Sequence, residues 1–192
     1  MWREEIGERM RRLDAQVNAG AGRMHSPRST ADLNLAIRAG HPHWVQEPRR
    51  AVRVALVGLG GEPVSDAMVE EARAACAEVG RVLLCRRLGA PPPDAPLPER
   101  FATEMVDRVR RAMDVDLVVV ITDGSWGWPR VGAGQLLVCA APGVEPPRHL
   151  GRSAIRIDAR GSRETVLQHP AADMGRADYI VDEGWAGFGL TP

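Results

Sequence analysis

Apolar residues recur at helical spacing along the first part of the chain. In residues 2–18 they follow one another at steps of three and four residues, so they form one stripe on an amphipathic helix whose opposite face carries Arg and Glu. The stripe consists of Trp2, Ile6, Met10, Leu13 and Val17. A second, shorter helix is predicted after Ser29 or Thr30, either of which can cap it, and it ends at Gly40. We therefore predict a helical arm and linker over residues 1–50.

From Ala51 onward the pattern changes to short apolar runs that alternate with helical stripes. Runs rich in β-branched residues predict buried strands over 51–59, 81–88 and 115–123. Between them lie two predicted helices, with the stripes Val64, Met68, Ala72, Cys76 and Val79, and Phe101, Met105, Val109 and Met113. This order of strands and helices is typical of right-handed crossovers in a parallel sheet that is covered on both faces.

The pattern beyond Asp123 contains three more candidate strands, over 135–141, 153–158 and 178–182. The loops between them show no long helical stripe, so we expect this half of the sheet to be partly antiparallel or irregular. The predicted fold class is α/β, a Rossmann-like three-layer sandwich with a mainly parallel sheet over residues 51–192, preceded by the helical arm.

Composition narrows the classes of function. The chain has 25 basic residues, all of them Arg, a bias typical of a GC-rich genome. Without Lys there is no Schiff base, no lysine general base and no Walker A lysine. The net charge of zero does not indicate a sequence-specific nucleic-acid binder. The arm holds ten Arg against six acids over residues 1–53, about +4, and the rest of the chain holds fifteen against nineteen, about −4.

The cysteine, histidine and hydropathy patterns favour a protein of the cytoplasm. Cys76, Cys85 and Cys139 are odd in number and scattered through apolar runs, so we expect neither a disulfide framework nor a CxxC metal site. The five His residues do not have metal-ligand spacing, and no metal site is predicted. The charged opening is not a signal peptide, and no apolar run approaches the roughly 18 residues of a membrane span.

The carboxyl ends of the predicted strands are the places where open α/β sheets bind ligands. The first strand ends in Gly58, Gly60 and Gly61, whose backbone N–H groups lie near a helix N-terminus and suit a phosphate or another anion. The dinucleotide fingerprint has a third Gly where Pro63 stands, and Glu62 adds negative charge. An ordinary tight turn is therefore the alternative.

The second strand ends in Arg86 and Arg87, the place where a Rossmann domain meets the 2′-phosphate of NADP. In a chain with 25 Arg, such a pair also arises by chance. A bound cofactor contacting these arginines is one interpretation, and no particular cofactor is indicated.

The third strand ends in Thr-Asp-Gly-Ser, with two Trp residues close behind. The Asp123 carboxylate and the Ser125 hydroxyl suit cation binding or the orientation of a nucleophile, which makes them the candidate catalytic residues. Trp126 and Trp128 could stack a ring or base. The alternative is that Asp123 caps the turn while the Trp pair packs over the sheet edge or an oligomer contact.

The segment 155–184 resembles the closing portion of the P-loop deoxynucleoside monophosphate kinases of phage type. It has a strand ending in Arg, an Arg-containing loop with His-Pro, and the final strand Ala-Asp-Tyr-Ile-Val-Asp. The run VVVITDG over 118–124 is also similar to a late strand of that family. The resemblance implies a nucleotide-binding relative. The chain lacks the family's GxxxxGK[ST] loop, so phosphoryl transfer by the usual route is not expected.

Two functions follow from these features. The first is a binding domain or an enzyme that takes a nucleotide or other phosphorylated or anionic small molecule at the strand ends. In it Asp123 would be the acid, base or cation ligand, and Arg160 with Arg163 the phosphate clamps. The second is an assembly component whose arm, residues 2–40, docks onto a protein partner or another copy of the chain.

Overall fold

The computed structural model describes residues 2–25, 28–40, 45–46, 48–94, 100–130 and 136–157. The arm contains two helices and a small antiparallel ribbon: α1 (Trp2–Val17), β1 (Met24–His25), α2 (Thr30–Arg38) and β2 (Val45–Gln46). The body follows with β3 (Val52–Leu59), α3 (Asp66–Ala77), β4 (Gly80–Leu88), α4 (Phe101–Met113), β5 (Leu117–Thr122), β6 (Leu136–Ala140), a 3-10 helix (Arg148–Ser153) and β7 (Ala154–Arg156). The predicted strand at 178–182 lies outside the described residues.

Within the described part of the chain, five parallel strands form one sheet in the order β4-β3-β5-β6-β7. Counted within this sheet the order is 2-1-3-4-5, one of the two common doubly wound arrangements. The chain moves outward from β3 to β4 and then crosses back to β5 on the other side of β3. A switch point therefore lies between β3 and β5, and the predicted α/β sandwich with a mainly parallel sheet is confirmed.

The second half of the sheet continues the same direction. Strands β6 and β7 pair in parallel with their neighbours, so the expectation of a partly antiparallel or irregular second half is wrong for these two strands. All five residues of β6 are buried, as expected for a strand covered on both faces.

Two apolar layers pack on opposite faces of the sheet. Alternate residues of β3 divide between them, because successive side chains of a strand point to opposite sides. Val52, Val54 and Leu56 belong to the cluster that α1 and α3 cover, and Ala55, Val57 and Leu59 belong to the cluster under α4. The 3-10 helix adds Leu150 to the α4 side.

The first helix of the arm is part of the sheet's own core. Trp2, Ile6 and Met10 are buried, in one cluster with residues of α3, β3, β5 and β6. Asn18 fixes the end of the helix next to β3, since its side chain donates to the carbonyl of Arg50 (2.9 Å) and accepts from the Arg50 N–H (2.9 Å). The apolar stripe predicted for α1 is therefore covered within the chain.

The second helix of the arm begins as its sequence predicts. The Ser29 hydroxyl accepts a hydrogen bond from the N–H of Asp32 (3.1 Å), which caps α2.

Among the described helices of the whole chain, none combines the length and the apolar character that a membrane crossing demands.

Candidate functional site

The switch point brings the ends of β3 and β5 side by side. Leu59 and Thr122 are partners in the register of these two strands, and the next residues, Gly60 and Asp123, leave the sheet together. The Gly60 N–H donates to the carbonyl of Leu88 in β4 (3.1 Å). The carboxyl ends of three strands thus meet at one place, as the sequence predicts.

Asp123 is the polar centre of this place. One carboxylate oxygen accepts the N–H of Gly61 (2.9 Å), and the other accepts the N–H of Ser125 (2.9 Å). The first bond joins the turn after β3 to the turn after β5, and the second closes the turn after β5. The predicted turn-capping interpretation of Asp123 is consistent with this geometry.

The protonation state of Asp123 follows from the same bonds. Burial raises the pKa of this carboxyl, but the hydrogen bonds from the Ser125 hydroxyl, the Ser125 N–H and the Gly61 N–H lower it by more, so the pKa lies below its ordinary value. Asp123 is therefore a carboxylate at neutral pH. A carboxylate with a lowered pKa is a weak general base.

Gly60 allows the close approach of the two turns. Its φ is +149°, and a Cβ built there would lie 2.5 Å from atoms of the Asp123 carboxyl group. Any side chain at this position would collide with the carboxylate. Gly58 has another role, because a Cβ there would lie 2.8 Å from Val69 of α3, so this glycine lets α3 pack closely on β3.

The two arginines at the end of β4 point in different directions. Arg87 lies on the α3 side, where it donates to the carbonyl of Gly61 (3.1 Å) and approaches the Asp66 carboxylate (3.3 Å). Arg86 is adjacent on the strand and projects toward the α4 side. Because of this alternation the two guanidinium groups cannot clamp one phosphate from the same side.

Arg87 retains one free donor. Among the residues that the structure describes, its buried Nε has no hydrogen-bond partner. A buried donor without an acceptor is unfavourable by about 1–3 kcal/mol, so the described residues around Arg87 leave its hydrogen-bonding capacity incompletely satisfied.

The turn after β5 carries the aromatic side chains. The indole N–H of Trp126 donates to the carbonyl of Gly89 (2.6 Å), and its ring lies 4.3 Å from that of Phe101, centroid to centroid. Trp128 packs over Gly124, whose Cβ position would lie 3.0 Å from the indole ring. These contacts fasten the turn to β4 and α4, and both Trp side chains remain half-buried.

Several predicted residues therefore meet at one edge. Gly60, Gly61, Arg87, Asp123 and Ser125 adjoin one another, and Trp126 follows on the α4 side. Arg160 and Arg163 lie outside the described residues, as does most of the segment on which the kinase resemblance depends.

Three groups that shape this site were not predicted from the sequence. The fully buried hydroxyl of Thr122 accepts the Gly124 N–H (3.0 Å) and holds the turn after β5. Phe101 and the carbonyl of Gly89 fix Trp126. The Thr-Asp-Gly sequence is itself a turn signal that could have identified Thr122, whereas the Gly89 contact has no local signal.

The three thiols do not add chemistry to this edge. All three cysteines are free, and Cys76 and Cys139 are buried. Burial raises the pKa of Cys76 to about 12 and that of Cys85 to about 11, so both are thiols at neutral pH. Within the described part of the chain, no three His, Cys, Asp or Glu side chains are grouped so that they could hold a metal ion.

Comparison of the chain with protein-family models, with curated protein sequences and with solved structures finds no match. The strand order and the side chains gathered at the carboxyl edge are therefore the features that bear on function.

Proposed function

We propose that this chain is a ligand-binding α/β domain whose site lies over the switch point between β3 and β5. The observation that carries the proposal is the convergence of three parallel strand ends, which Asp123 joins through its bond to the Gly61 N–H. In doubly wound sheets the loops separate on either side of the switch point, and the crevice between them is where ligands bind.

The side chains around this crevice favour a ligand with both an anionic group and a ring. The guanidinium of Arg87 is partly exposed, and its planar fork of N–H donors suits a phosphate or carboxylate oxygen. Trp126 and Trp128 offer aromatic surface a short distance along the same edge. A nucleotide or a similar phosphorylated molecule has both chemical parts, so this ligand class is the one we propose.

A thermal-shift screen of the full chain tests the proposal. The panel consists of nucleoside monophosphates and diphosphates, dinucleotides and sugar phosphates. A ligand that binds only the native state raises Tm, by about 2–4 °C for each kcal/mol of linked stabilisation in a chain of this size. Ligands that share a phosphate and a base should give the largest shifts.

Matched substitutions locate the site. Arg87→Gln removes the charge at the carboxyl end of β4, and Arg81→Gln makes the same change near the amino end of the same strand. We expect the ligand-induced shift to be lost in the first variant and retained in the second. Equal shifts in both variants, or no shift with any member of the panel, would contradict the proposal.

Assembly through the arm is a second candidate, and one observation favours it. Leu33, Leu35 and Ile37 of α2 are 41%, 51% and 55% exposed, the most exposed large apolar side chains among the described residues. The α1 stripe is covered by the sheet, so an interface made by the arm would use α2. Light scattering on the double variant Leu33→Ser, Ile37→Ser tests it: a smaller particle than the unmodified chain supports assembly, and an unchanged mass counts against it.

A further inference from the structure

The geometry points to the Asp123 carboxylate as a built-in anion that occupies a backbone cradle and so determines which part of a ligand can enter the switch point. We call the N–H groups of Gly61 and Ser125 the Gly61–Ser125 cradle. Both groups point at one carboxylate, each at 2.9 Å. Two converging backbone N–H groups are the geometry that elsewhere receives a phosphate or carboxylate from a ligand.

The cradle has no capacity left for an external anion. Each N–H group carries one proton, and both protons are already directed at Asp123. Gly60 brings the turn so close that even a Cβ there would lie 2.5 Å from the carboxylate, so a phosphate cannot enter beside it. An incoming anion would also meet the negative charge of Asp123 at short range.

Most hydrogen-bond acceptor positions of the Asp123 carboxylate are occupied as well. A carboxylate offers about four acceptor positions. The N–H of Gly61, the N–H of Ser125 and the Ser125 hydroxyl bond to it. The residue therefore acts as a positioning residue that holds two turns together, and it has little capacity for substrate chemistry.

The consequence concerns the orientation of the ligand in the site proposed above, and it rests on that proposed function. The phosphate of a bound molecule is excluded from the Gly61–Ser125 cradle and is received at Arg87, on the outer side of the same turn. The switch point itself then accepts the uncharged part of the ligand. Asp123 is in this sense the specificity-determining residue of the site.

Chemical rescue tests the inference without any natural ligand. Asp123→Ala empties the cradle, and formate, which has the size and charge of the lost carboxylate, should occupy it. We expect Tm of the variant to rise by about 2–4 °C once formate exceeds its Kd several-fold. Formamide, of similar size but uncharged, should have less than a quarter of that effect, and formate should leave the unmodified chain unchanged when both are compared with chloride at equal ionic strength.

The matched control is Glu62→Ala, which removes a carboxylate from the same turn as Gly61. The Glu62 side chain is exposed and fills no cradle, so formate should not raise the Tm of this variant above that of the chloride reference. The inference is overturned if formate fails to stabilise Asp123→Ala, if formamide stabilises it equally, or if formate stabilises all three proteins alike.

A second measurement needs no variant and decides the matter if Asp123→Ala does not fold. The amide proton resonances of Gly61 and Ser125 in the unmodified chain should move together as Asp123 is protonated in acid. An Asp123 titration that leaves either amide unmoved overturns the inference. A silent ligand screen, by contrast, would remove the proposed function and leave the rescue intact, so the two failures are distinguishable.

Discussion

The two edges of the sheet each contain one partly buried aspartate that gathers hydrogen-bond donors, but the donors differ in kind. At the amino edge, the Asp116 carboxylate accepts hydrogen bonds from both terminal nitrogens of Arg50 (2.7 Å each) and from the backbone N–H of Arg53 (2.9 Å). At the carboxyl edge, Asp123 accepts N–H groups of Gly61 and Ser125 and no guanidinium among the described residues. One edge is fastened by opposite charges and the other by neutral donors.

The difference shows how each edge of the sheet uses its charged side chains. At the amino edge Arg50 ties the arm to the body through Asp116, while Arg49 pairs with Asp14 within the arm and Arg53 pairs with Asp114 within the body. At the carboxyl edge backbone N–H groups satisfy the aspartate, and the arginine there, Arg87, bonds instead to the carbonyl of Gly61 and the carboxylate of Asp66. Ion pairs that include guanidinium groups hold the amino edge together, whereas backbone hydrogen bonds and close packing hold the carboxyl edge together.

The largest effect we expect comes from Gly60→Ala, which breaks the carboxyl edge. The new Cβ would lie 2.5 Å from the Asp123 carboxyl group, and φ of +149° is unfavourable for alanine. We expect a loss of about 3 kcal/mol in the free energy of unfolding, measured by urea denaturation. Gly143→Ala is the control, because its φ is +80° and nothing lies within 4 Å of the added Cβ. It should lose only about 1 kcal/mol, and equal losses would argue against the close contact.

The amino edge should respond next most strongly, through Asp116→Asn. The variant loses the charge that Arg50 and Arg53 face, at a side chain only 13% exposed, so we expect a loss of about 2 kcal/mol. Asp114→Asn removes a carboxylate that is 86% exposed and keeps a residue suited to its φ of +48°, so it should change stability by less than about 0.5 kcal/mol. Urea denaturation of both variants measures the contrast, and similar losses would contradict it.

The loss in the free energy of unfolding caused by Asp116→Asn should also depend on pH. Burial raises the pKa of Asp116, but the hydrogen bond and charge of Arg50 and the N–H of Arg53 lower it by more. The folded pKa is therefore below the unfolded value of about 3.9, so the carboxylate stabilises the fold above that pH and loses this effect as pH falls through the folded pKa. The gap between the unmodified chain and the variant should narrow below about pH 4, and a gap that widens there would contradict the assignment.

A smaller effect is expected for Trp126→Phe, which sharpens the account of the carboxyl edge. The change removes the indole hydrogen bond to the Gly89 carbonyl (2.6 Å) and keeps an aromatic ring beside Phe101. We expect a loss of about 1 kcal/mol in urea denaturation. Trp128→Phe, a change in the same turn, serves as a control for the loss of an indole in general, and an equal or larger loss there would remove the special role of Trp126.

The smallest expected effect is a difference between the two edges in how salt changes the stability loss of a variant. Arg50 is 46% exposed, so concentrated NaCl should screen its pair with Asp116 and reduce the Asp116→Asn deficit by about 0.5 kcal/mol. The Trp126→Phe deficit comes from a neutral bond and should not change. Urea curves at low and high salt give both numbers, and equal salt dependence would remove the distinction between the edges.

The central βαβαβ unit could be predicted from the sequence because each of its elements has a complete local signal. The apolar runs fix the strands, the helical stripes between them fix the crossovers, and the handedness of crossovers then brings the carboxyl ends together. The direction of β6 and β7 had no such signal, since no helical stripe connects them. Only their pairing in the sheet determines that they run parallel.

The place of α1 could not be predicted, for a different reason. A stripe such as Trp2, Ile6 and Met10 indicates that one face is buried, but not what covers it. The structure places that face on the sheet beside α3. For Arg86 and Arg87 the sequence did contain the answer, because neighbouring residues of a strand point to opposite faces. The bond between Trp126 and Gly89 spans 37 residues and has no local signal.

The most direct test of the account is a map of where a ligand contacts the chain. Amide and indole N–H spectra of the full chain, titrated with a nucleoside diphosphate, report every site at once. We expect the resonances of Arg87, Gly89 and the Trp126 indole to shift with one common Kd, while those of Arg53 and Asp116 stay fixed. Shifts confined to the amino edge or to α2, or none at saturating nucleotide, would contradict a binding site at the carboxyl edge.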